Sequence, residues 1–383
     1  MKTNLKKLLY SGVTLMSLGV LAACSSTSSS TTTSSSVTTS QSSTTSSNST
    51  SSDSSSSSID WSALPTTEVT LSNDGLKITE GGTYILKGST TAGVTVETDA
   101  NVRIILAGAD ISSSDTAAIN VISTDNVELE IQDGTSNTVK DTSSHSDTNI
   151  EGAIHVEADL TITGNGNLTV EGNFQDGIVS TDDLVINAGN ITVTAVDDGI
   201  RGKDSLTING GTINVTAGGD GIKSANDTDT TKGYTTITGG EITVKAGDDG
   251  IKAETALTID GGTITVSESL EALEGTNITI NGGTLDVYGS DDAINAASTT
   301  SSDIFIKVTG GDLKVAVGSG DTDAFDANGD IYISGGSIAV TAPTSSFDFD
   351  GTVEFTGGTV TVNGEQITQI TATGPGAGGH GGW

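Results

Sequence analysis

A repeat of about 22 residues is the feature that most constrains how this chain of 383 residues can fold. Pairs of small residues mark the repeat and begin at steps of 22, 29, 22, 21, 28, 25 and 22 along the chain. These pairs are Ala188-Gly189, Gly210-Gly211, Gly239-Gly240, Gly261-Gly262, Gly282-Gly283, Gly310-Gly311, Gly335-Gly336 and Gly357-Gly358. Repeats of this length are typical of solenoids, in which each unit buries its apolar side against its neighbours.

The residues within one unit predict strands and turns. Leu206 and Ile208 alternate with polar residues, and the pair of glycines then ends the run. Alternation with period two, interrupted by Gly and Asn, is the pattern of β-strands joined by turns. A third, shorter strand is predicted at each Gly-Ile dipeptide, such as Gly199-Ile200.

Three short strands in about 22 residues are too few and too closely spaced for a propeller blade, and no segment has helical periodicity. We therefore predict an all-β fold, a right-handed parallel β-helix (solenoid) of about 22 residues per coil with three short strands per coil. Main-chain hydrogen bonds would stack the coils about 4.8 Å apart. The right hand follows from the handedness rule for parallel crossovers.

Composition and pattern divide the chain into five parts. Residues 1–23 are predicted to be a lipoprotein signal peptide and 24–58 a lipidated cysteine followed by a disordered stalk. Residues 59–151 are predicted to form divergent N-terminal coils and a cap, 152–366 the regular coils, and 367–383 a Gly-rich tail. The stalk is almost wholly Ser and Thr, with Asp53 as its single charge, so it lacks the apolar residues needed for a core.

The segment from Met1 to Ala23 has the three parts of an export signal. Three lysines precede an apolar run over 8–20, and Leu21-Ala22-Ala23 leads directly into Cys24. A cysteine at this place receives the diacylglycerol group in lipoprotein processing. We therefore predict export, lipidation at Cys24 and anchoring by that lipid to the extracellular face of the bacterial membrane. Because Cys24 is the only cysteine, the chain forms no intramolecular disulfide.

The charge of the processed chain favours cations as partners. Three of the 15 Lys and Arg leave with the signal while all 49 Asp and Glu remain, which gives 12 minus 49, a net charge of −37. Such a surface repels polyanions, so nucleic acid is excluded as a natural partner. Divalent metal is the first partner to expect.

The repeat places acidic residues in register on neighbouring coils. Close carboxylates repel one another, and Ca²⁺ offsets this repulsion well because it accepts six to eight oxygen ligands. Protonation of some acids, or a role in which each Asp only hydrogen-bonds the backbone of its turn, are the alternatives. The main column reads Asp176, Asp198, Asp220, Asp249, Glu271, Asp292 and Asp323, and the residue before it adds Asp197, Asp248 and Asp291. The predicted metal ligands are Asp176, Asp197, Asp198, Asp220, Asp248 and Asp249, with Asp227 and Asp229 from an inserted loop.

A basic column lies three residues after the acids. It consists of Arg201, Lys223 and Lys252, accompanied by Lys203. One interpretation is compensation of the neighbouring acids, and the other is recognition of carboxylated sugars together with Ca²⁺. The three histidines, at 145, 155 and 380, all fall outside the acidic column, which argues against a histidine-based site.

Three segments carry a resemblance to a known family. They are Asp176-Gly177-Ile178-Val179-Ser180, Asp197-Asp198-Gly199-Ile200-Arg201-Gly202-Lys203-Asp204, and Gly219-Asp220-Gly221-Ile222-Lys223-Ser224 with Asn226-Asp227-Thr228-Asp229. In these motifs the chain resembles bacterial cell-surface carbohydrate-binding domains of cellulolytic clostridia. The resemblance implies a right-handed, pectate-lyase-like parallel β-helix with bound Ca²⁺ and affinity for cellulose and acidic polysaccharides such as polygalacturonate. From Glu268 onward the pattern decays, and Glu271-Ala272-Leu273 replaces Asp-Gly-Ile, so the implied metal role extends only over the acids from Asp176 to Asp249.

Three functions remain open at this point. The first is a non-catalytic, Ca²⁺-dependent polysaccharide-binding protein, for which the low aromatic content of 3% favours acidic glycans over cellulose. The second is a polysaccharide lyase with Arg201 as the base, although neighbouring carboxylates should raise its pKa. The third is a structural surface spacer or adhesin in which Ca²⁺ only stiffens the solenoid.

Overall fold

The computed structural model describes residues 59–320 and 322–373. The predicted signal peptide, Cys24, the stalk, most of the tail and His380 lie outside these residues. In the described part, one 3-10 helix (Trp61–Ala63) precedes 32 strands, and no helix is long and apolar enough to cross a membrane. The strands are β1 (Thr66–Leu71), β2 (Leu76–Ile78), β3 (Gly82–Thr90), β4 (Val94–Glu97), β5 (Val102–Ser112), β6 (Ile119–Ser123), β7 (Asn126–Ile131), β8 (Ser136–Lys140), β9 (Gly152–Val156), β10 (Asp159–Thr163), β11 (Asn167–Gly172), β12 (Asp176–Ser180), β13 (Asp183–Ile186), β14 (Asn190–Ala195), β15 (Ile200–Gly202), β16 (Ser205–Ile208), β17 (Thr212–Ala217), β18 (Ile222–Ser224), β19 (Tyr234–Ile237), β20 (Glu241–Lys245), β21 (Ile251–Ile259), β22 (Thr263–Glu268), β23 (Leu273–Ile280), β24 (Thr284–Gly289), β25 (Ile294–Ala296), β26 (Phe305–Val308), β27 (Asp312–Val317), β28 (Phe325–Ala327), β29 (Asp330–Thr341), β30 (Asp348–Phe349), β31 (Val353–Val362) and β32 (Glu365–Ile367).

The strands pair in parallel with their equivalents in the next repeat, so the predicted all-β class is confirmed. Ile178 of β12 pairs with Ile200 of β15, Ile200 with Ile222 of β18, and Ile222 with Ile251 of β21. These pairings reproduce the steps seen in the sequence. The stack is consistent with a β-solenoid, and the right-handed sense of its coil stays a prediction.

The alternation of apolar and polar residues arises from burial on one face only. In β14 and β17 every second residue is buried, because successive side chains of a strand point to opposite faces. The paired residues Ile178, Ile200, Ile222 and Ile251 are all 0% exposed. Each such aliphatic side chain contributes about 1.5–3 kcal/mol by burial, and the columns together fill the interior.

The glycine pairs that revealed the repeat are required by the backbone. The second member of each pair has a positive φ, which is 98° at Gly211, and only glycine adopts this conformation readily. A Cβ atom on Gly211 would also lie 2.8 Å from the carbonyl oxygen of Gly189 on the neighbouring coil. Conformation and close approach together exclude larger residues.

Some coils have fewer separate strands than the three predicted. β21 runs without a break over Ile251–Ile259, and its register against β23 shifts between Ala253 and Ala256. The corner of the coil therefore falls inside this strand as an irregularity.

The N-terminal strands also stack in parallel, but with uneven register. Thr66 pairs with Thr83, Gly82 with Val102, and Val102 with Val127. These steps differ from the regular repeat, which explains why the sequence of this part lacks a clean period.

An antiparallel hairpin follows the last parallel strand. β32 pairs with β31 across the turn Asn363-Gly364, and both turn residues have positive φ, 52° and 87°. This is the backbone of a type I′ turn, for which Asn-Gly is the preferred sequence. The added strand covers part of an edge that would otherwise present unpaired backbone groups.

Candidate functional site

The acids of the main column form a ladder of side-chain to backbone hydrogen bonds. Asp176, Asp198, Asp220 and Asp249 stand directly before the Gly-Ile strands and are 2–8% exposed. The Oδ1 atom of each of the first three accepts the backbone N–H of the next acid, at 3.1, 2.9 and 2.9 Å. The carboxylates therefore hold neighbouring coils in register, as in the structural alternative considered from the sequence.

The basic column neutralises these acids. Lys223 Nζ lies 2.8 Å from Asp220 Oδ2 and 3.3 Å from Asp198 Oδ2, and Lys252 Nζ lies 2.7 Å from Asp249 Oδ2. All these groups are mostly buried, where an unpaired charge is costly. Compensation of charge is thus present in the fold, and recognition of a glycan by the same cations stays a prediction.

The ladder starts at an acid whose pKa is strongly perturbed. Burial raises the pKa of Asp176 to about 7, against the opposing effect of Arg201, whose guanidinium lies 2.8 Å from Asp176 Oδ2. Arg201 also pairs with Glu151. Two carboxyl groups therefore hold this guanidinium, and one of them titrates near neutral pH.

The ladder breaks where Glu271 replaces Asp. Asp249 Oδ1 is buried and has no hydrogen-bond partner among the described residues. The carboxyl groups of Glu271 and Glu274 are neighbours of Asp249 and can hydrogen-bond to it only while they hold a proton. Burial, followed by the proximity of Asp249, raises the pKa of Glu271 to about 9 and that of Glu274 to about 8. At neutral pH this cluster therefore retains protons that a bound cation would displace.

A group of three predicted ligands lies beside this break. One oxygen each of Asp220, Asp248 and Asp249 lies within 4.8 Å of the others, and Asp248 is exposed. Carboxylate oxygens are the ligands that Ca²⁺ prefers. The buried Oδ1 of Asp249 accepts no hydrogen bond from an N–H or hydroxyl group of the described residues, and the donors beside this carboxylate are the protonated carboxyl groups of Glu271 and Glu274. These residues fit a Ca²⁺ ion.

The other predicted site residues are less closely involved. Asp197 and Lys203 are exposed. Asp229 accepts hydrogen bonds from the backbone and hydroxyl of Thr231 at 3.0 and 2.7 Å, so it stabilises its own loop. Asp227 is exposed and lines a cavity that also borders Lys252.

The basic column changes sign along the stack, which was not predicted from the sequence. Lys252 pairs in register with Glu274, and the same column continues through Asn295, Asp326 and Asp348. Burial, and then the charge of Asp292 followed by those of several other acids, raises the pKa of Asp326 to about 7. Counting the same three-residue offset beyond Asp249 in the sequence would have revealed this acidic half.

Two histidines lie in the described part, and both are buried in the fold. His145 Nε2 lies 3.0 Å from Asp141 Oδ2, and its ring stacks on Phe174 at 4.4 Å. Burial lowers the pKa of His155 to about 4, with Arg201 as the next cause. Neither belongs to the acidic column.

Stacked parallel strands that carry ordered columns of charged side chains define a repetitive all-β protein, and this arrangement is consistent with a solenoid. Residues 72–324 match the family model described as carbohydrate-binding domain-containing protein. The match spans well over half of the chain, and the chain belongs to this family.

Two similar proteins support this assignment. A carbohydrate-binding domain-containing protein of Acetivibrio thermocellus is 34% identical over 135 residues, which cover 33% of this chain and 47% of the relative. This chain thus matches about half the length of that relative. A solved structure described as the polysaccharide lyase-like protein from C. thermocellum, gadolinium derivative, has 34% identity and a TM-score of 0.51. It covers 52% of this chain and 90% of the solved chain.

Proposed function

We propose that this protein is a non-catalytic, calcium-dependent polysaccharide-binding lipoprotein. It is exported, lipidated at Cys24 and held at the extracellular face of the bacterial membrane by that lipid. Its body is a right-handed parallel β-helix whose coil length equals the sequence repeat. Its ligands are acidic plant or microbial glycans such as polygalacturonate, with cellulose as a second candidate.

The observation that carries the calcium part is the buried carboxylate of Asp249, whose Oδ1 accepts no hydrogen bond from an N–H or hydroxyl group in the described part of the chain. This carboxylate lies beside an exposed carboxylate at Asp248 and a buried one at Asp220, and the protons of Glu271 and Glu274 stabilise it while no cation is bound. A Ca²⁺ ion would replace these protons and offset the repulsion between the neighbouring carboxylates. Because Asp248 is exposed, such an ion would be open to a carboxylate of the glycan.

The comparisons support the same proposal. The family description names carbohydrate binding, and the solved relative is a gadolinium derivative. Gadolinium, like calcium, is a hard cation that prefers oxygen ligands. A metal held on a strongly acidic surface is also a direct means of attracting an acidic polymer.

A lyase is the alternative suggested by the lyase-like name of the solved relative. Arg201 is poorly suited as its base. Burial acts to lower the pKa of Arg201, but Asp176 and Glu151 outweigh it and raise the pKa above its usual value. A base must release its proton near the working pH, so we expect no unsaturated product that absorbs in the ultraviolet.

The test is retention of the purified protein on immobilised polygalacturonate and on cellulose, each in Ca²⁺ and then in excess chelator. We expect retention on polygalacturonate in Ca²⁺ and its loss in chelator. Asp248→Asn should weaken retention because it removes an exposed ligand. Asp312→Asn is the matched control, since Asp312 is also exposed and lies outside the predicted ligand set.

Two results would contradict the proposal. Equal retention in Ca²⁺ and chelator would exclude a calcium-dependent site. Absence of retention on either polymer, together with a lower melting temperature in chelator, would instead favour the structural spacer or adhesin.

A further inference from the structure

Two insertions interrupt the regular coils at one corner of the stack. The longest steps of the repeat, from Gly210 to Gly239 and from Gly282 to Gly310, correspond to long connections between β18 and β19 and between β25 and β26. We name residues 226–233 the first insertion and residues 297–303 the second insertion. The two coils between them pass this corner within the continuous strands β21 and β23. The insertions therefore border a groove whose floor is two coils wide, about 10 Å at the usual strand spacing.

Both borders of the groove are ordered turns. Asn226 Oδ1 accepts the backbone N–H of Asp229 at 2.9 Å, and Asn226 Nδ2 donates to Asp204 Oδ1 at 2.6 Å. In the second insertion, Ser298 Oγ accepts the backbone N–H of Thr300 at 3.2 Å. Side chains that hydrogen-bond the backbone in this way fix short loops, so the groove exists before a ligand arrives.

Two adjoining cavities of about 510 and 530 Å³ occupy the groove. Five residues line both cavities, namely Thr230, Glu254, Thr255, Thr276 and Thr300. Four of these carry hydroxyl groups. Those of Thr255 and Thr276 donate to backbone carbonyl oxygens at 2.7 and 2.9 Å and can still accept a hydrogen bond, whereas a threonine hydroxyl without such a bond can both donate and accept. A ligand rich in hydroxyl groups could exchange hydrogen bonds with them along its length.

An exposed aromatic ring and the local charge define the ligand further. Tyr234 lines one cavity and is 39% exposed, and such rings bind apolar faces while keeping a polar tip in water. Asp227 and Glu254 contribute acids to the lining, whereas Lys252 is already paired with Asp249 and Glu274. No cation free of an ion pair lines either cavity in the described chain. The groove therefore disfavours an acidic polymer.

We infer that the groove between the two insertions binds a single chain of an uncharged polysaccharide, with Tyr234 packed against the face of one sugar ring. This inference rests on the proposed carbohydrate-binding function, but it places the uncharged ligand in cavities that Asp248 does not line. The protein then has two glycan sites of different chemistry.

Native-gel retardation of the full chain in soluble polysaccharides tests the inference. The uncharged probes are hydroxyethylcellulose, xyloglucan, arabinoxylan and galactomannan, and polygalacturonate in Ca²⁺ is the acidic probe. Tyr234→Ala should weaken binding of an uncharged probe about tenfold, the effect of one stacking contact. Thr300→Trp should abolish that binding by filling the groove. Tyr288→Ala is the matched control, because Tyr288 is 37% exposed and lines neither cavity.

The outcomes separate this inference from the proposed function. If Tyr234→Ala and Thr300→Trp lose binding of an uncharged probe while their binding of polygalacturonate is unchanged, the groove is supported as the site for uncharged polysaccharide. If both variants bind the uncharged probes as wild-type protein does, the groove is not the binding site. The same conclusion follows if wild-type protein binds polygalacturonate alone. In both cases the proposed function stands. Loss in Tyr332→Ala but not in Tyr234→Ala also overturns the groove, because it places binding at the cavity lined by Phe305 and Tyr332. If wild-type protein binds none of the five probes, the proposed function fails as well.

Discussion

Replacement of Asp220 is expected to separate the structural role of the acidic ladder from its role in holding calcium. Asp220 is 2% exposed, its Oδ1 accepts the Asp249 N–H at 2.9 Å and its Oδ2 lies 2.8 Å from Lys223 Nζ. Asp220→Ala removes both contacts and leaves a buried N–H without an acceptor. Lys223 keeps only the weaker contact to Asp198 at 3.3 Å.

The magnitude follows from these contacts. Loss of one partner of a buried charge pair costs about 3–5 kcal/mol, and we expect Asp220→Ala to fall in this range. Asp220→Asn also removes the charge opposite Lys223 but keeps a neutral acceptor for the Asp249 N–H, so it should cost less than Asp220→Ala by about the 0.5–1.5 kcal/mol of one hydrogen bond. Asp248→Asn changes an exposed residue and should cost within about 0.5 kcal/mol.

The assay is urea unfolding of the three variants, followed by far-ultraviolet circular dichroism, first in chelator and then in Ca²⁺. In chelator the loss of stability should decrease in the order Asp220→Ala, Asp220→Asn, Asp248→Asn. Wild-type protein should gain about 2.7 kcal/mol in Ca²⁺ at one hundred times the dissociation constant, and all three variants should lose most of that gain. Equal stability of Asp220→Ala and Asp248→Asn in chelator would refute the claim that the acidic ladder stabilises the stack of coils. An undiminished calcium gain in every variant would refute the metal site.

Three further predictions concern the backbone, the buried acids and the lipid. Gly211→Ala should destabilise the protein by more than Gly108→Ala in urea unfolding. Both glycines have positive φ, which alone costs about 1–2 kcal/mol in alanine, but only at Gly211 would the new Cβ atom lie against a backbone oxygen. Equal losses of unfolding free energy would refute the effect of this close approach. In chelator the urea midpoint should fall between pH 7 and 10. An acid with a raised folded-state pKa contributes stability that is complete below its unfolded pKa and is lost once the acid has titrated in the folded state, near 8 for Glu274 and 9 for Glu271. Replacing both residues by Gln should flatten this fall, and an unchanged slope would show that other groups cause it. Cys24→Ser should move the protein from the detergent phase to the aqueous phase in a phase-separation assay. If the variant still partitions into the detergent phase, the cysteine is not the lipid anchor.

The candidate site has a consequence for how the protein responds to pH and calcium together. Protons held by Glu271 and Glu274 at neutral pH compete with a cation for the oxygens around Asp249. Calcium affinity should therefore increase as the pH rises through this range.

The sequence alone determined the repeat, the strand class and the parallel register. A constant period with alternating aliphatic positions can bury its apolar columns in few ways, and the pairing of Ile200 with Ile222 follows directly from it. The glycine pairs were visible for the same reason, because positive φ at positions such as Gly211 leaves almost no alternative residue.

How the charges are shared depends on the folded structure and could not be counted along the chain. Side-chain direction and burial determined that Asp220 gives one oxygen to a backbone N–H and the other to Lys223, so much of the repulsion expected from the acids is already compensated. The break at Asp249, where the carboxyl groups of Glu271 and Glu274 are the neighbours of the acid, depends on local packing. Register is a property of spacing and can be counted along the chain, whereas the partner of each buried oxygen depends on distances of a few tenths of an ångström between coils.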